Sequence, residues 1–333
     1  MKFHQLRDIN TEDVLVLRNA YSENLIINGN MQISQRGTSF VSPVTGAYTL
    51  DRWAVGTNAG TATITKAAST PHGTTQPVIL WTNTSTGGST LTGFDGIVQP
   101  IFARLLDNLH FGVADALEVT VSFQVRSSIT GTYCVSILNN WLGAATRSYV
   151  TEYVIPVANT WTYVTMTIPG DVAGTWTAGN GLGMVLAFTL DTGASVQTTA
   201  GSWQSGEFYS TGNQVNFQSN SGATFFLTEV KMERGNLATR FFNEEYSKTA
   251  AACAFYFQKV SMLAHTSSWP TSANACVFPN MRTGTPTVTL SSLSAGSGAA
   301  YTVLNTGAFA PLLYQTANNS TAAFATVDLS AEL

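Results

Sequence analysis

Imidazoles, thiols and carboxylates are the groups able to ligate metals or catalyse, and this chain spaces few of them usefully. Its four histidines, His4, His72, His110 and His265, stand far apart and none falls in a metal-clamping HxxxH pattern. Cys134, Cys253 and Cys276 form no CxxC pair, and no GxSxG elbow or Gly-Lys-Ser/Thr phosphate loop occurs. Asn180-Gly181-Leu182-Gly183 resembles a fragment of a glycine-rich loop, but no helix follows and it reads as a turn. Glycoside hydrolysis needs two carboxylates roughly 5 to 10 Å apart across the scissile bond. The acidic residues from Asp51 and Asp95 through Asp171 to Glu229 are too scattered to single out a pair. No catalytic residue, metal site or cofactor is expected.

Sugar binding asks for less: a flat aromatic ring for a pyranose to stack on, with amides or acids for its hydroxyls. Trp141 sits in the loop-like run Asn139-Asn140-Trp141-Leu142-Gly143, and Trp176 and Trp203 lie among turn residues. Trp141, Asn139, Asn140, Trp176 and Trp203 are therefore the candidate glycan contacts. The competing reading packs the same indoles into a core or along sheet edges. Trp53 and Trp161 read as core.

The elements that position these residues are strands. Hydrophobic residues make up 44% of the 333, enough to build a core. Charged residues make up only 10%, against about 25% in an average soluble domain. Threonine, serine, asparagine and glycine fill the gap, which suits strands and tight turns with a surface of hydroxyls and amides. Residues 117–125 alternate apolar and polar as a half-buried strand does. Residues 61–66, 133–138, 149–157, 161–168, 183–190 and 224–231 have similar character, with turn residues between them. The fold class is all-β: a jelly-roll-like β-sandwich over 24–242, then one short helix and a small C-terminal β domain. The helix is expected over 243–262, with Asn243 as cap, Glu244 and Glu245 in its first turn, and Tyr246, Cys253, Phe257 and Val260 on one face. The C-terminal domain, 263–333, holds strands at 285–290 and 322–329 and a loop at 291–300. Residues 1–23 hold a dense share of the scarce charges and read as an attachment arm or an ordinary frayed terminus.

The net charge is −4 with 15 basic residues spread along the chain, so nucleic acid is not an expected partner. No apolar run reaches the roughly 18 residues of a membrane span, and the N-terminus lacks the apolar core of a secretory signal. An odd number of widely spaced cysteines suggests folding in a reducing cytoplasm.

Four motifs add a resemblance. Asn24–Asn30 (NLIINGN), Gln35–Phe40 (QRGTSF) and Asp51–Trp53 resemble the opening of a family of phage tail-fibre, spike and appendage proteins. Phe226–Phe242 (FLTEVKMERGNLATRFF) is similar to that family's last sandwich strand and closing turn. Residues 246–259 resemble its next element, and 277–287 (VFPNMRTGTPT) its entry to a C-terminal β domain. The final six residues, 328–333, are similar to its ending. The resemblance implies a carbohydrate-binding-module-like sandwich in a virion assembled in the host cytoplasm, usually a homotrimer. It supplies no catalytic residues. Locally, Asp51 and Arg52 are expected to pair beside buried Trp53. The expectation is a non-catalytic adhesin for host surface polysaccharide, mounted on other virion proteins by its N-terminal arm. A purely structural connector or decoration protein and a small polysaccharide depolymerase are the alternatives.

Overall fold

The structure, a computed structural model, describes residues 23–58, 60–141, 147–264, 273–275, 281, 287–294, 301–305, 311–315 and 323–332. The expected attachment arm falls outside them but for Glu23, as does Cys276.

Twelve strands build the sandwich: β1 (Ser39–Val41), β2 (Ala54–Gly56), β3 (Ala62–Ser69), β4 (Gln76–Asn83), β5 (Phe94–Phe102), β6 (Val119–Ser127), β7 (Gly131–Leu138), β8 (Arg147–Ile155), β9 (Thr162–Ile168), β10 (Leu182–Thr192), β11 (Trp203–Ser205) and β12 (Thr224–Arg234). They form two six-stranded sheets, ordered β1-β3-β4-β12-β6-β9 and β11-β8-β7-β10-β5-β2, with every pair antiparallel. Successive strands such as β5, β6 and β7 change sheets, as in a jelly roll. The all-β sandwich read from the strand pattern is the fold observed.

Alternation explains how the layers pack. Val119, Val121, Phe123 and Val125 of β6 face Tyr133, Val135 and Ile137 of β7 across one core, which also buries Trp53, Trp81 and Phe188. Strand β12 needs a correction to stay in phase. Phe225 and Leu227 point inward, and so do Val230 and Met232. A bulge between Thr228 and Lys231, with Glu229 at φ 52°, absorbs the change of parity. The segment Asn24–Asn30 is stitched onto this bulge. Asn24 Nδ2 donates to the Val230 carbonyl at 3.1 Å, and the Val230 amide donates to the Gly29 carbonyl at 2.9 Å. A Cβ on Gly29 would stand 2.1 Å from the Val230 oxygen, so only glycine fits. The closing turn is local: the Glu233 carboxylate accepts from both the amide and the hydroxyl of Thr239, each at 2.7 Å.

The helix, α1, is shorter than the sequence pattern predicts. It spans Tyr246–Ala254, and Phe257–Ala264 is a strand, β13. Asn243 does not cap it; its Oδ1 accepts from Asn30 Nδ2 at 2.8 Å instead. Tertiary contacts override the helical period at the aromatic triplet 255–257. Arg52 lies 3.6 Å from the Tyr256 ring centroid and Arg36 3.5 Å from that of Phe257. Gln35 Nε2 donates to the Phe257 carbonyl at 2.8 Å, which holds the chain extended.

Beyond β13 follow β14 (Ala273–Ala275), β15 (Thr287–Ser294), β16 (Tyr301–Asn305), β17 (Pro311–Gln315) and β18 (Ala323–Ser330). They form two three-stranded sheets, β13-β18-β15 and β14-β17-β16. Strand β15 therefore takes in the first four residues of the loop expected at 291–300. Asp51 and Arg52 do not pair with each other. Asp51 accepts from Gln35, at 2.6 Å from its amide and 2.7 Å from its side chain. Arg52, 1% exposed, pairs with Glu332 at the other end of the chain, and Arg36 shares that carboxylate at 3.2 Å. Burial works against the Arg52 charge, but Glu332, Tyr48 and Tyr256 offset it and hold its pKa above the usual arginine value.

Candidate functional site

The loop after β9 is built around a buried carboxylate. Asp171 takes a fork from Arg147 on β8, Nε to Oδ2 at 2.7 Å and Nη2 to Oδ1 at 2.5 Å. That carboxylate raises the Arg147 pKa above its ordinary value, against the opposing effect of burial. Trp176 Nε1 also donates to Asp171 Oδ2, at 3.2 Å. Asn139 fastens the same loop, its Nδ2 donating to the Thr175 carbonyl at 3.0 Å while its Oδ1 accepts the Arg147 amide at 3.1 Å. Gly174, at φ 79°, passes where a Cβ would stand 2.5 Å from the Arg147 side chain. The whole loop thus serves to hold one indole in place.

Trp203, on edge strand β11 opposite Tyr149, donates its Nε1 to the Pro169 carbonyl at 2.7 Å. Its ring meets that of Trp176 edge to face at 5.6 Å, and Phe111 completes the cluster at 4.8 Å from Trp176 and 5.7 Å from Trp203. Beside this cluster opens a cavity of about 140 Å³ whose walls include Phe111, Trp176, Thr177, Leu106, Asp107 and His110. Both indole N–H groups are already bonded to protein, so Trp176 offers the cavity ring surface rather than a donor. His110 Nδ1 lies 2.8 Å from Asp115, and that hydrogen bond, its largest influence, holds the Asp115 carboxyl below its usual range. The arrangement is an apolar wall with a polar rim, suited to stacking a ring and bonding its hydroxyls.

Of the residues singled out from sequence, Asn139, Trp176 and Trp203 come together here, Asn139 as a support with its amide fully engaged. Trp141 does not join them. It is 7% exposed, packed with Phe94, Val98, Leu138, Val185 and Tyr209 on the outer side of the second sheet. The segment after β10 folds over that side, and Tyr209 stacks on Phe94 at 4.2 Å. Its ring presents no free face, and Asn140 serves locally, accepting the Trp141 amide at 2.8 Å. Trp161, expected in the core, is half-buried outside it, against Phe226 and Arg126. Sequence reasoning missed Phe111, Asp107, His110 and Thr177. Asp107, His110 and Phe111 come from the connection between β5 and β6, and only its approach to the loop after β9 makes them neighbours.

Among the described residues no group of three or more His, Cys, Asp or Glu side chains is placed to hold a metal, and no helix is long and apolar enough to cross a membrane.

Fold and site together define a two-sheet antiparallel β-sandwich with an aromatic-walled cavity at one end. No protein-family model matches the chain, and no curated protein does. Solved structures with some likeness include the enzymatically active domain of tailspike protein 4 of bacteriophage CBA120, at 13% identity and a TM-score of 0.34, over 63% of this chain and 21% of that one. Others are the N-terminal cellulose-binding domain of Cellulomonas fimi β-1,4-glucanase C (12% identity, TM-score 0.30, 56% of this chain and 90% of that one) and the family 11 carbohydrate-binding module of Clostridium thermocellum in complex with a mixed-linked tetrasaccharide (12%, 0.28, 61% and 98%). All are too distant to carry a ligand or a site residue over to this chain.

Proposed function

We propose that the chain is a non-catalytic, glycan-binding subunit of a phage virion appendage that holds the particle to host surface polysaccharide. The observation that carries the glycan reading is Trp176. Its ring walls a cavity rimmed by Asp107, His110 and Thr177, while Asn139, Asp171 and Arg147 fix its loop from behind. A preorganised ring of this kind binds a sugar without losing side-chain freedom. The non-catalytic reading is supported by the cavity lining, where Asp107 is the one carboxylate among the described residues and glycoside hydrolysis takes a pair. The virion reading rests on the ordered motifs at 24–53 and 226–242; homotrimerisation and mounting by the N-terminal arm belong to the same proposal.

The test is binding of the purified protein to host cells with and without enzymatic removal of their surface polysaccharide, for the wild type and Trp176→Ala. Binding is expected to vanish with the polysaccharide and to weaken at least about tenfold in the variant, as loss of roughly 1.4 kcal/mol of stacking requires. A folded wild type that ignores the polysaccharide would favour the purely structural role. Release of reducing ends from it would favour the depolymerase.

A further inference from the structure

Four described arginines are not fully exposed, and three of them have a carboxylate. Arg36 and Arg52 share Glu332, and Arg147 holds Asp171. Arg126, on β6, pairs with no carboxylate among the described residues, in a protein whose net charge is −4. It is held instead between rings. Its guanidinium carbon lies 3.9 Å from the Phe226 centroid and 5.3 Å from that of Trp161, and those two rings meet edge to face at 6.2 Å. Its Nε and the Trp161 Nε1 are both buried without a hydrogen-bond partner.

The location favours a ligand. Val125 faces the core, so its neighbour Arg126 points to the outer side of the first sheet, directly opposite Phe226 in register. On that side Thr120, Ser122, Gln124 and Thr228 are buried, while Thr165 and Thr167 of β9 are exposed. Around Arg126 it is open, with Arg126, Trp161, Phe226 and Leu80 half-buried and Tyr163 53% exposed. Rings against a guanidinium fix its plane and leave its edge of N–H groups as the reactive side. That edge matches a planar carboxylate with two parallel hydrogen bonds. A nearby phenol and exposed ring surface suit the rest of a sugar.

We propose that Arg126, clamped by Phe226 and Trp161, is a second binding site that takes a carboxylate-bearing sugar residue of an acidic polysaccharide. The ligand class rests on the glycan reading, but the site is independent of the Trp176 corner. Trp161 stands just before β9 and Pro169 just after it, so that seven-residue strand at about 3.3 Å per residue puts the sites roughly 25 Å apart.

The test is titration of the full chain with glucuronate and with glucose, followed by tryptophan fluorescence and by calorimetry. Glucuronate is expected to bind at least tenfold more tightly than glucose. Arg126→Gln should abolish that preference, and Arg126→Lys, which keeps the charge but not the fork, should weaken it severalfold. Trp176→Ala should leave it intact, so failure of the corner and failure of this site are distinguishable. Equal binding of glucuronate and glucose by the wild type, or an unchanged preference in a folded Arg126→Gln, overturns the proposal. So does inorganic phosphate competing as strongly as glucuronate, which would make the site a general anion site. A change of oligomeric state in Arg126→Gln by sedimentation would likewise overturn it, by making Arg126 a subunit contact. Should Arg126→Gln not fold, Arg126→Lys and Trp161→Phe read the same preference.

Discussion

Cys134 and Tyr133 are consecutive residues of β7 that point to opposite sides of their sheet, yet both are sealed from water. Burial pushes the Cys134 thiol from 9.0 up to about 11, in spite of a hydrogen bond from the Thr211 amide at 3.4 Å. Burial likewise pushes the Tyr133 phenol from 10.0 up to about 12, with the Ser127 hydroxyl opposing the shift. In both cases the neutral form is favoured by the fold, while the unfolded chain gives up its proton at the ordinary value. Their contribution to stability is therefore complete below pH 9 and is lost as pH rises through 9 to 12. At about 1.4 kcal/mol per pH unit of displacement, each group accounts for roughly 2 to 3 kcal/mol. Denaturant titrations between pH 8 and 12 are expected to show this alkaline decline, and Cys134→Ser to remove the part between pH 9 and 11. A decline of the same size in Cys134→Ser would show that the thiol is not buried as described.

At the level of elements, strands were legible where β-branched and aromatic residues recur between turn residues, even in β10, which is covered on both faces. Strand β6 alternates because its outward side chains are polar, and β7 through β10 and β12 have similar character. Strand β5, all nine residues of which are buried, escaped because Gly96 and Pro100 interrupt its apolar run and no alternation marks it. Its Pro100 is tolerated because β2 pairs only with Gly96 to Val98, and the Pro100 carbonyl is free to accept from Arg52. The second half of the helix expected over 243–262 was misread for the opposite reason: its local pattern is helical, whereas pairing with β18 along 257–264 and the contacts of Gln35 and Arg36 at Phe257 draw it into a sheet. The candidate cavity was half legible. Aromatics among turn residues marked Trp176 and Trp203, whereas Trp141 in an equally polar loop is covered by a segment some 70 residues further on, around Tyr209. The bulge at Glu229 left no sequence signal, since a glutamate at positive φ is unusual. Its carboxylate explains the choice, lying 2.9 Å from His72 Nε2 and accepting from Gln76 Nε2 at 2.8 Å. Glu229→Ala would lose both contacts and keep the left-handed backbone, while Glu229→Gly would lose the contacts and relieve the backbone. Urea denaturation should find Glu229→Gly more stable than Glu229→Ala by about 1 kcal/mol. The reverse order would mean that the bulge places its left-handed residue elsewhere.

At the scale of the molecule, the two segments that bound the sandwich do the same work: they close it. Asn24–Asn30 binds the bulge of the last strand, and Gln35, Arg36 and Arg52 reach across to residues 256–259 and to Glu332. The first sheets and the last strands are thereby joined through a buried carboxylate that answers two arginines. Such a pair adds little over a well-packed apolar substitute, because both charges had to leave water. Breaking it is another matter. Glu332→Gln leaves Arg52 buried beside a neutral amide and should destabilise the fold by about 3 to 5 kcal/mol in denaturant titrations. If the link also makes the sandwich and the C-terminal strands unfold together, the same variant should lose amide-exchange protection first in β13 and β18, while β6 and β12 keep theirs. Replacing both partners, as Arg52→Met with Glu332→Leu, should recover most of the loss, since Tyr48 and Tyr256 already line an apolar-compatible site around Arg52. A double variant no better than Glu332→Gln would instead assign the loss to the cation–ring contacts of Arg52, and the two motifs would then be joined by packing rather than by charge.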